Sequence, residues 1–574
     1  MASGGRHRGI EADLFASAKT QSLRFRPRSL PFGLFSRSGC SPSMTNPASS
    51  LVQTASRRRW TRRVAWELGL PFAFLGAACA ASIAAILWRT GGTFVYTLDD
   101  AYIHLALAEE LARGHYGVNP GSFSAPASSV LWPFLLVPWA RLQGAVLVPL
   151  VYNLLAAAGT VVVYRQVLIK TFRPSGETKQ SVVVGLAVVG LALATNLVGL
   201  VFTGMEHSLQ LLLVALAVLW LWEESETGEV SLWLVVVLVL GPLVRYENLA
   251  LTVPALVYLF SRGHRRIALG AGIALSALLG AFSLFLLGHG VGPLPSSVLA
   301  KSSLDDGARA MLQRVWENLR VGQGRVLAAG LLPLFVVALS KRRDRPAGRF
   351  ALVLIVAATL HFIGGRFGWQ SRYEIYVWAA VLLGLVLLYG DRLRRFVDLE
   401  PIWKPALLMA VAVWALGLQY IKDQVYLPLA AQNIYEQQFQ MHRFLADYYP
   451  HPVAVNDLGL TTFQNDQHVL DLQGLGSHEA LALYTTEANF EWITRLADAN
   501  GVGLAMVYDE WFPDLPAPWV LLGVLHRDGL MVSTANNEVF VYTRDQASSE
   551  VARQALHEWA ATLPPGVRFE FEPQ

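Results

Sequence analysis

Charge and cysteine are what this 574-residue chain has least of. Lys, Arg, Asp and Glu make up 15% of it, against about 25% in soluble domains, while 53% is hydrophobic. For most of the chain, a water-soluble fold is excluded. Cysteine occurs twice, Cys40 in a basic leader and Cys79 in the first apolar stretch. That pair makes an improbable disulfide and supplies no zinc-ligand spacing. A Gly-rich phosphate loop is also lacking, so no nucleotide site is implied, and no nucleic-acid partner is expected. Beyond the leader there is no internal repeat or long low-complexity tract.

The charge that is present is unevenly placed. Residues 1–63 carry 12 Lys/Arg against 2 acids, and residues 421–574 carry 7 against 20. The first region reads as a disordered basic cytoplasmic leader, with Met44 as an alternative start. The apolar stretch that follows is too long for a signal core and is expected to stay as an anchor. The last region reads as a soluble domain.

Between them lies a region of membrane spans. With about 20 apolar residues needed per crossing, eleven are expected: 64–88, 146–169, 181–203, 205–222, 231–247, 248–260, 266–288, 322–340, 349–364, 374–390 and 404–420. The short pair at 231–260 is interrupted by Arg245, Glu247 and Asn248, as for two helices meeting near the outer surface. Basic clusters at Arg57–Arg63, Lys170/Arg173/Lys179, Arg262/Arg265/Arg266, Lys341/Arg342/Arg343 and Arg392/Arg394/Arg395 all fall inside, provided that 128–143, with Pro133 and Pro138, does not cross. The expected fold is a mainly helical polytopic bundle with a small extracytoplasmic α/β domain: leader 1–63, membrane domain 64–420, soluble domain 421–574. Strand-length runs at 453–455, 469–472, 503–508 and 539–542 support the last assignment. The setting is the plasma membrane, N-terminus inside.

By this parity the polar residues costly near lipid lie outside. Asp99 and Asp100 open a surface helix reaching Gly114, with His104 one turn on. An N-cap followed by a surface helix is the plainer reading of those acids. Further on come Asn119, Thr203-Gly204-Met205-Glu206, Arg245-Tyr246-Glu247, Pro293-Leu294-Pro295-Ser296 leading to Lys301, and Arg366 and Arg372. Any single arginine at a span end can simply snorkel. Together they place cations on the face opposite to the usual bias, which suits a bound anion.

The motif order over about 95–475 resembles the GT-C superfamily of integral-membrane glycosyltransferases that use polyprenyl-phosphate sugars, the protein mannosyltransferase-like and bacterial arabinosyltransferase-like members. The resemblance rests on Leu98-Asp99-Asp100-Ala101-Tyr102-Ile103, the Asn119-Pro120-Gly121 loop, Ser128-Ser129-Val130-Leu131-Trp132, Thr203-Gly204-Met205-Glu206, Arg245-Tyr246-Glu247, Pro293-Leu294-Pro295-Ser296, and Asn456-Asp457-Leu458-Gly459 with Leu470-Asp471-Leu472. Departures are Leu105-Ala106-Leu107-Ala108 after the acids, Tyr246 where a proline is usual, and Val291-Gly292 in place of an acid.

The resemblance implies inverting transfer from a polyprenyl-phosphate sugar to a hydroxyl of a glycan, lipid or protein. Asp99 or Asp100 would be the base, Asp99 favoured by motif position. Arg245, Lys301, Arg366 and Arg372 would hold the donor phosphate. His104, Asn119, Glu206 and Glu247 would contact substrate. No cofactor is implied, although Asp99, Asp100 and Glu206 would suit a hard divalent cation. A lipid-saccharide transporter and an envelope scaffold are the rival classes; Asp457 and Asp471 read equally as turn residues.

Overall fold

The computed structural model describes residues 63–172, 178–299, 307–340, 345–487, 489–513 and 515–573, all within the larger of two compact units, Ala55–Gln574. The leader up to residue 62, Arg173, Lys301 and the cluster at 341–343 lie outside the described residues.

Among the described residues, seven helices are long and apolar enough to cross a membrane: Ala65–Arg89, Ala145–Phe172, His207–Thr227, Arg265–Gly288, Gly322–Leu339, Pro346–Gly364 and Trp403–Tyr448. An eighth is the pair Ile375–Leu388 and Gly390–Leu399, bent by 64°. The three remaining expected spans are shorter helices. Thr178–Ala194 stops after 17 residues, because Asn196 turns left-handed at φ 49 before Leu197–Phe202 resumes. The pair Leu232–Val244 and Leu249–Ser261 has 13 residues each; Arg245, extended at φ −152, breaks it. The stretch expected not to cross forms only the five-residue helix Trp132–Leu136 and a 3-10 turn, Val137–Trp139.

The last span does not stop at 420. Trp403–Glu436 is one 34-residue helix, about 51 Å long, against a hydrocarbon core of about 30 Å. The expected domain boundary therefore falls inside a helix that leads directly into the soluble domain.

That domain is built on a six-stranded sheet: β1 (Val453–Val455), β2 (Val469–Asp471), β3 (Leu504–Val507), β4 (Val520–Arg527), β5 (Glu538–Thr543) and β6 (Val567–Phe571), in the order β2-β1-β3-β5-β4-β6. β1 pairs in parallel with β2 and β3, and the other pairs are antiparallel. β1, β2 and β3 are buried along their whole length, as suits parallel strands covered on both faces.

Two sets of polar contacts mark the two ends of the bundle. At one end, buried Glu67 pairs with Arg63 and Arg165, and buried Glu224 with Arg262 and His264; Lys170 meets Glu223. Of these cations, Arg63, Lys170 and Arg262 belong to the clusters expected inside. At the other end the loops expected outside are stitched together. Thr97 N–H donates to Phe202 O, Gln370 Nε2 to Thr97 O, Asn196 Nδ2 to Gln370 O, Val130 and Leu131 N–H to Leu243 O, and Ser296 N–H to Ala125 O.

Candidate active site

The site lies where those stitched loops meet the soluble domain. The helix Asp100–Arg113, expected to lie on the surface, is buried from Ala101 to Ala108 under its neighbours; it opens the site and is closed at its far end by left-handed Gly114 at φ 93. Asp99 occupies the N-cap position, yet its side chain does not cap its own helix. Its Oδ2 accepts from Gly459 N–H at 2.7 Å and its Oδ1 from Leu460 N–H at 2.8 Å. Both belong to the soluble domain. A Cβ at Gly459 would lie 2.1 Å from the Asp99 carbonyl oxygen, so only glycine allows this approach. The N-cap expected of Asp99 is thus spent on the other domain.

Asp100 faces differently. Its Oδ2 accepts from Arg372 Nη2 at 2.6 Å, and its side chain is 32% exposed. Arg372, almost fully buried, also donates to Tyr373 Oη at 2.9 Å and approaches Met205 Sδ at 3.2 Å. Met205 leads to the next residue of the cluster. Gly204, at φ 68, brings the Thr203–Glu206 turn against Tyr96 and Ala101, where a side chain would collide. Buried Glu206 then accepts from Arg245 Nη1 at 2.7 Å and lies 3.4 Å from His104 Nε2. Arg245 also donates to Glu247 at 2.6 Å and reaches Ser128 Oγ at 3.3 Å. A chain of side chains therefore runs Asp100, Arg372, Met205–Glu206, Arg245, Glu247.

A third aspartate comes from the soluble domain. Asp457, two residues before Gly459, accepts from Tyr508 Oη and from Gln438 Nε2, the latter at 2.7 Å. Burial, and then Asp457, push Asp99 up to about 8, although its two backbone donors favour the charged form. Burial likewise raises Asp457, against the hydrogen bonds from Tyr508 and Gln438, with Asp100 adding to the rise.

The expected site residues divide accordingly. Asp99, Asp100, Glu206, His104, Arg245, Glu247 and Arg372 meet in one region. Within it His104, Glu206 and Arg245 are almost wholly buried and engaged with one another, whereas Glu247 keeps 28% of its side chain exposed. Arg366 is exposed on the loop that carries Arg372. Asn119 lies elsewhere: its amide exchanges two hydrogen bonds, at 2.9 and 2.8 Å, with the backbone of Val469. It fastens the loop to edge strand β2. Lys301 lies outside the described residues. Glu206 turns to Arg245 and His104, and among the described residues no three His, Cys, Asp or Glu side chains are grouped to hold a metal ion. Asp471 is a turn residue, accepting from Gln473 and Gly476 N–H. Asp457, Tyr508, Gln438, Met205 and Tyr373 were not among the sequence candidates for the site. Of these, Asp457 and Met205 carried a signal, in Asn456-Asp457-Leu458-Gly459 and Thr203-Gly204-Met205-Glu206.

One family model matches the chain, a domain of unknown function (DUF8728), over residues 432–542. That stretch contains Asp457, Gly459 and Tyr508. No curated protein matches the sequence. Among solved structures the chain is similar to ArnT from Cupriavidus metallidurans in the apo state, with TM-score 0.46 and 12% identity over 83% of this chain and 99% of that one. It is also similar to the archaeal oligosaccharyltransferase AglB from Archaeoglobus fulgidus, in complex with an inhibitory peptide and a dolichol-phosphate. There the TM-score is 0.39 and the identity 12%, over 84% of this chain and 77% of that one. At TM-scores below 0.5 these likenesses assign no residue and no chemistry.

Proposed function

We propose that this chain is a multi-pass membrane glycosyltransferase working at the outer face. It transfers a sugar, with inversion, from a polyprenyl-phosphate donor to an acceptor hydroxyl. The observation that carries the reading is the 2.6 Å pair of Asp100 with Arg372, joined through Met205 and Glu206 to Arg245. A carboxylate and guanidinium groups at one partly open site are what acceptor activation and phosphate departure each require.

Asp100 is the proposed base. The motif position favoured Asp99, but both oxygens of Asp99 accept backbone N–H groups. Asp100 takes the acceptor proton as the acceptor oxygen bonds to the anomeric carbon. The bond from that carbon to the phosphate oxygen breaks, and the lipid phosphate leaves with the electron pair. Arg366, exposed on the loop that carries Arg372, stabilises that charge, while the buried Arg372 holds Asp100 in place. Arg245, held between Glu206 and Glu247, positions the loop rather than binding phosphate. The prenyl chain lies along the apolar helices. A transporter would place charge near the bilayer midplane; the ion pairs here gather at the two ends of the bundle.

Asp100→Asn in purified protein, offered a panel of polyprenyl-phosphate sugars, should lower sugar transfer by about 10²–10⁴-fold. The carboxamide oxygen can still accept from Arg372 Nη2, so the thermal midpoint should fall only modestly while transfer is lost. Near-normal transfer by this variant removes the assignment.

A further inference from the structure

A cavity opens at the far end of the helix Asp100–Arg113, apart from the acid–arginine site. Its volume is about 440 Å³, within the range of small-molecule sites. Three elements form it. The helix Asp100–Arg113 supplies Glu109 and Arg113, the non-crossing stretch supplies residues 140–143, and the soluble domain supplies Gln464. These parts are fixed to one another. Gln464 N–H donates to Glu109 Oε2 at 3.2 Å, and Arg141 Nη2 donates to the Ala112 carbonyl at 2.5 Å.

The charge in and around this cavity is nearly balanced. Arg113 already meets Glu110 at 2.6 Å and Asp466 at 3.5 Å. Glu109, Glu110 and Asp466 thus face Arg113 and Arg141, so the site has no excess of positive charge with which to hold a phosphate. What it does offer is a set of planar polar groups, two guanidinium ions, two carboxamides and a carboxyl, which supply donors and acceptors beside the apolar surface of Ala140 and Leu142. Burial pushes Glu109 up to about 7, so near neutral pH its carboxyl can donate as well as accept. Such a lining matches neighbouring hydroxyl groups on an uncharged ring. Nine residues of helix separate Glu109 from Asp100, about 14 Å at 1.5 Å per residue. That span exceeds one sugar ring.

We infer that the cavity of Glu109, Arg113, Arg141, Gln143 and Gln464 is a binding subsite for a distal unit of a neutral oligosaccharide acceptor, whose terminal hydroxyl reaches Asp100. This rests on the transfer reading for the role of Asp100, but binding at the cavity is measurable without it. The acceptor class is then an extended glycan rather than a peptide or a short lipid headgroup.

The test uses the full-length protein in lipid nanodiscs, with arabino- and manno-oligosaccharide series of increasing length as probes and saturation-transfer NMR and calorimetry as readouts. In the wild type, affinity should rise at least tenfold once the chain is long enough to span both sites. Arg141→Gln and the milder Gln143→Ala should abolish that rise, leave short chains unchanged and preserve the thermal midpoint. Asp100→Asn should retain it. In transfer assays the cavity variants should raise KM for long acceptors with kcat unchanged. Length-independent affinity, equal affinity in Gln143→Ala and wild type, or binding by no member of either series would overturn the inference. Cavity-dependent binding without transfer would instead uphold it and defeat the transfer reading. Transfer that is indifferent to Gln143→Ala would do the reverse.

Discussion

At the scale of residues, burial decides which charged groups hold the structure and which face the site. Arg245 is the clearest case. Its guanidinium is 1% exposed, between Glu206 and Glu247. Removing it leaves the fully buried Glu206 without its cation. Arg245→Met should cost about 3–5 kcal/mol of stability, read as a large fall in thermal midpoint in detergent. Arg366→Gln, at an exposed position, should leave the midpoint in place and weaken donor binding. The two buried acids make a second case. Asp99 and Asp457 have raised pKa values in the docked state, whereas a released carboxyl titrates near about 3.9. The docked form therefore holds protons that the released form has given up. Docking is strongest below about 4 and weakens as pH rises towards about 8. Hydrogen exchange at Gly459 and Leu460, corrected for intrinsic rates, should show protection falling over that window, and Asp457→Asn should flatten the fall. The motifs made Asp99, Asp100, Glu206 and Arg245 legible from sequence. Which acid stays partly open was not legible, because the partners of Asp99 lie 360 residues away.

At the scale of elements, hydrophobic length was legible and helix breaks were less so. Long apolar runs became the long helices, and the interruption at Arg245 was visible as charge. The break at Asn196 was not, since its left-handed turn is tied to Gln370 from a distant loop. In the soluble domain four strands were read from apolar runs. β6 was missed because Arg568 and Glu570 alternate with its apolar positions, and β4 because Gly523, where its register shifts, divides its apolar run. The element on which the site most depends is the short turn at Gly459. Gly459→Ala would drive a methyl group into the Asp99 carbonyl and should cost about 1–3 kcal/mol at the junction. Limited proteolysis should show earlier cleavage near 456–466, with the membrane helices still protected. Unchanged protease resistance would mean that the junction relaxes around the added methyl.

At the scale of the whole molecule, two chemically different ends are joined by apolar helices. One end carries the basic clusters, and the other carries the acid–arginine site and the sheet domain. Cysteine scarcity makes the orientation simple to test, because Cys79 is buried and Cys40 can be changed to Ser. In that background, Asp466→Cys should react with an impermeant maleimide in intact cells, and Arg395→Cys only after permeabilisation. The opposite pattern would put the site on the cytoplasmic face.

The 34-residue rod Trp403–Glu436 leaves no slack between bilayer and sheet domain. Each residue added to an α-helix turns whatever follows by about 100° and lifts it by about 1.5 Å. The angular setting of Asp457 over Asp99 is thus encoded in a residue count, as the timing of two gears is set by the teeth between them.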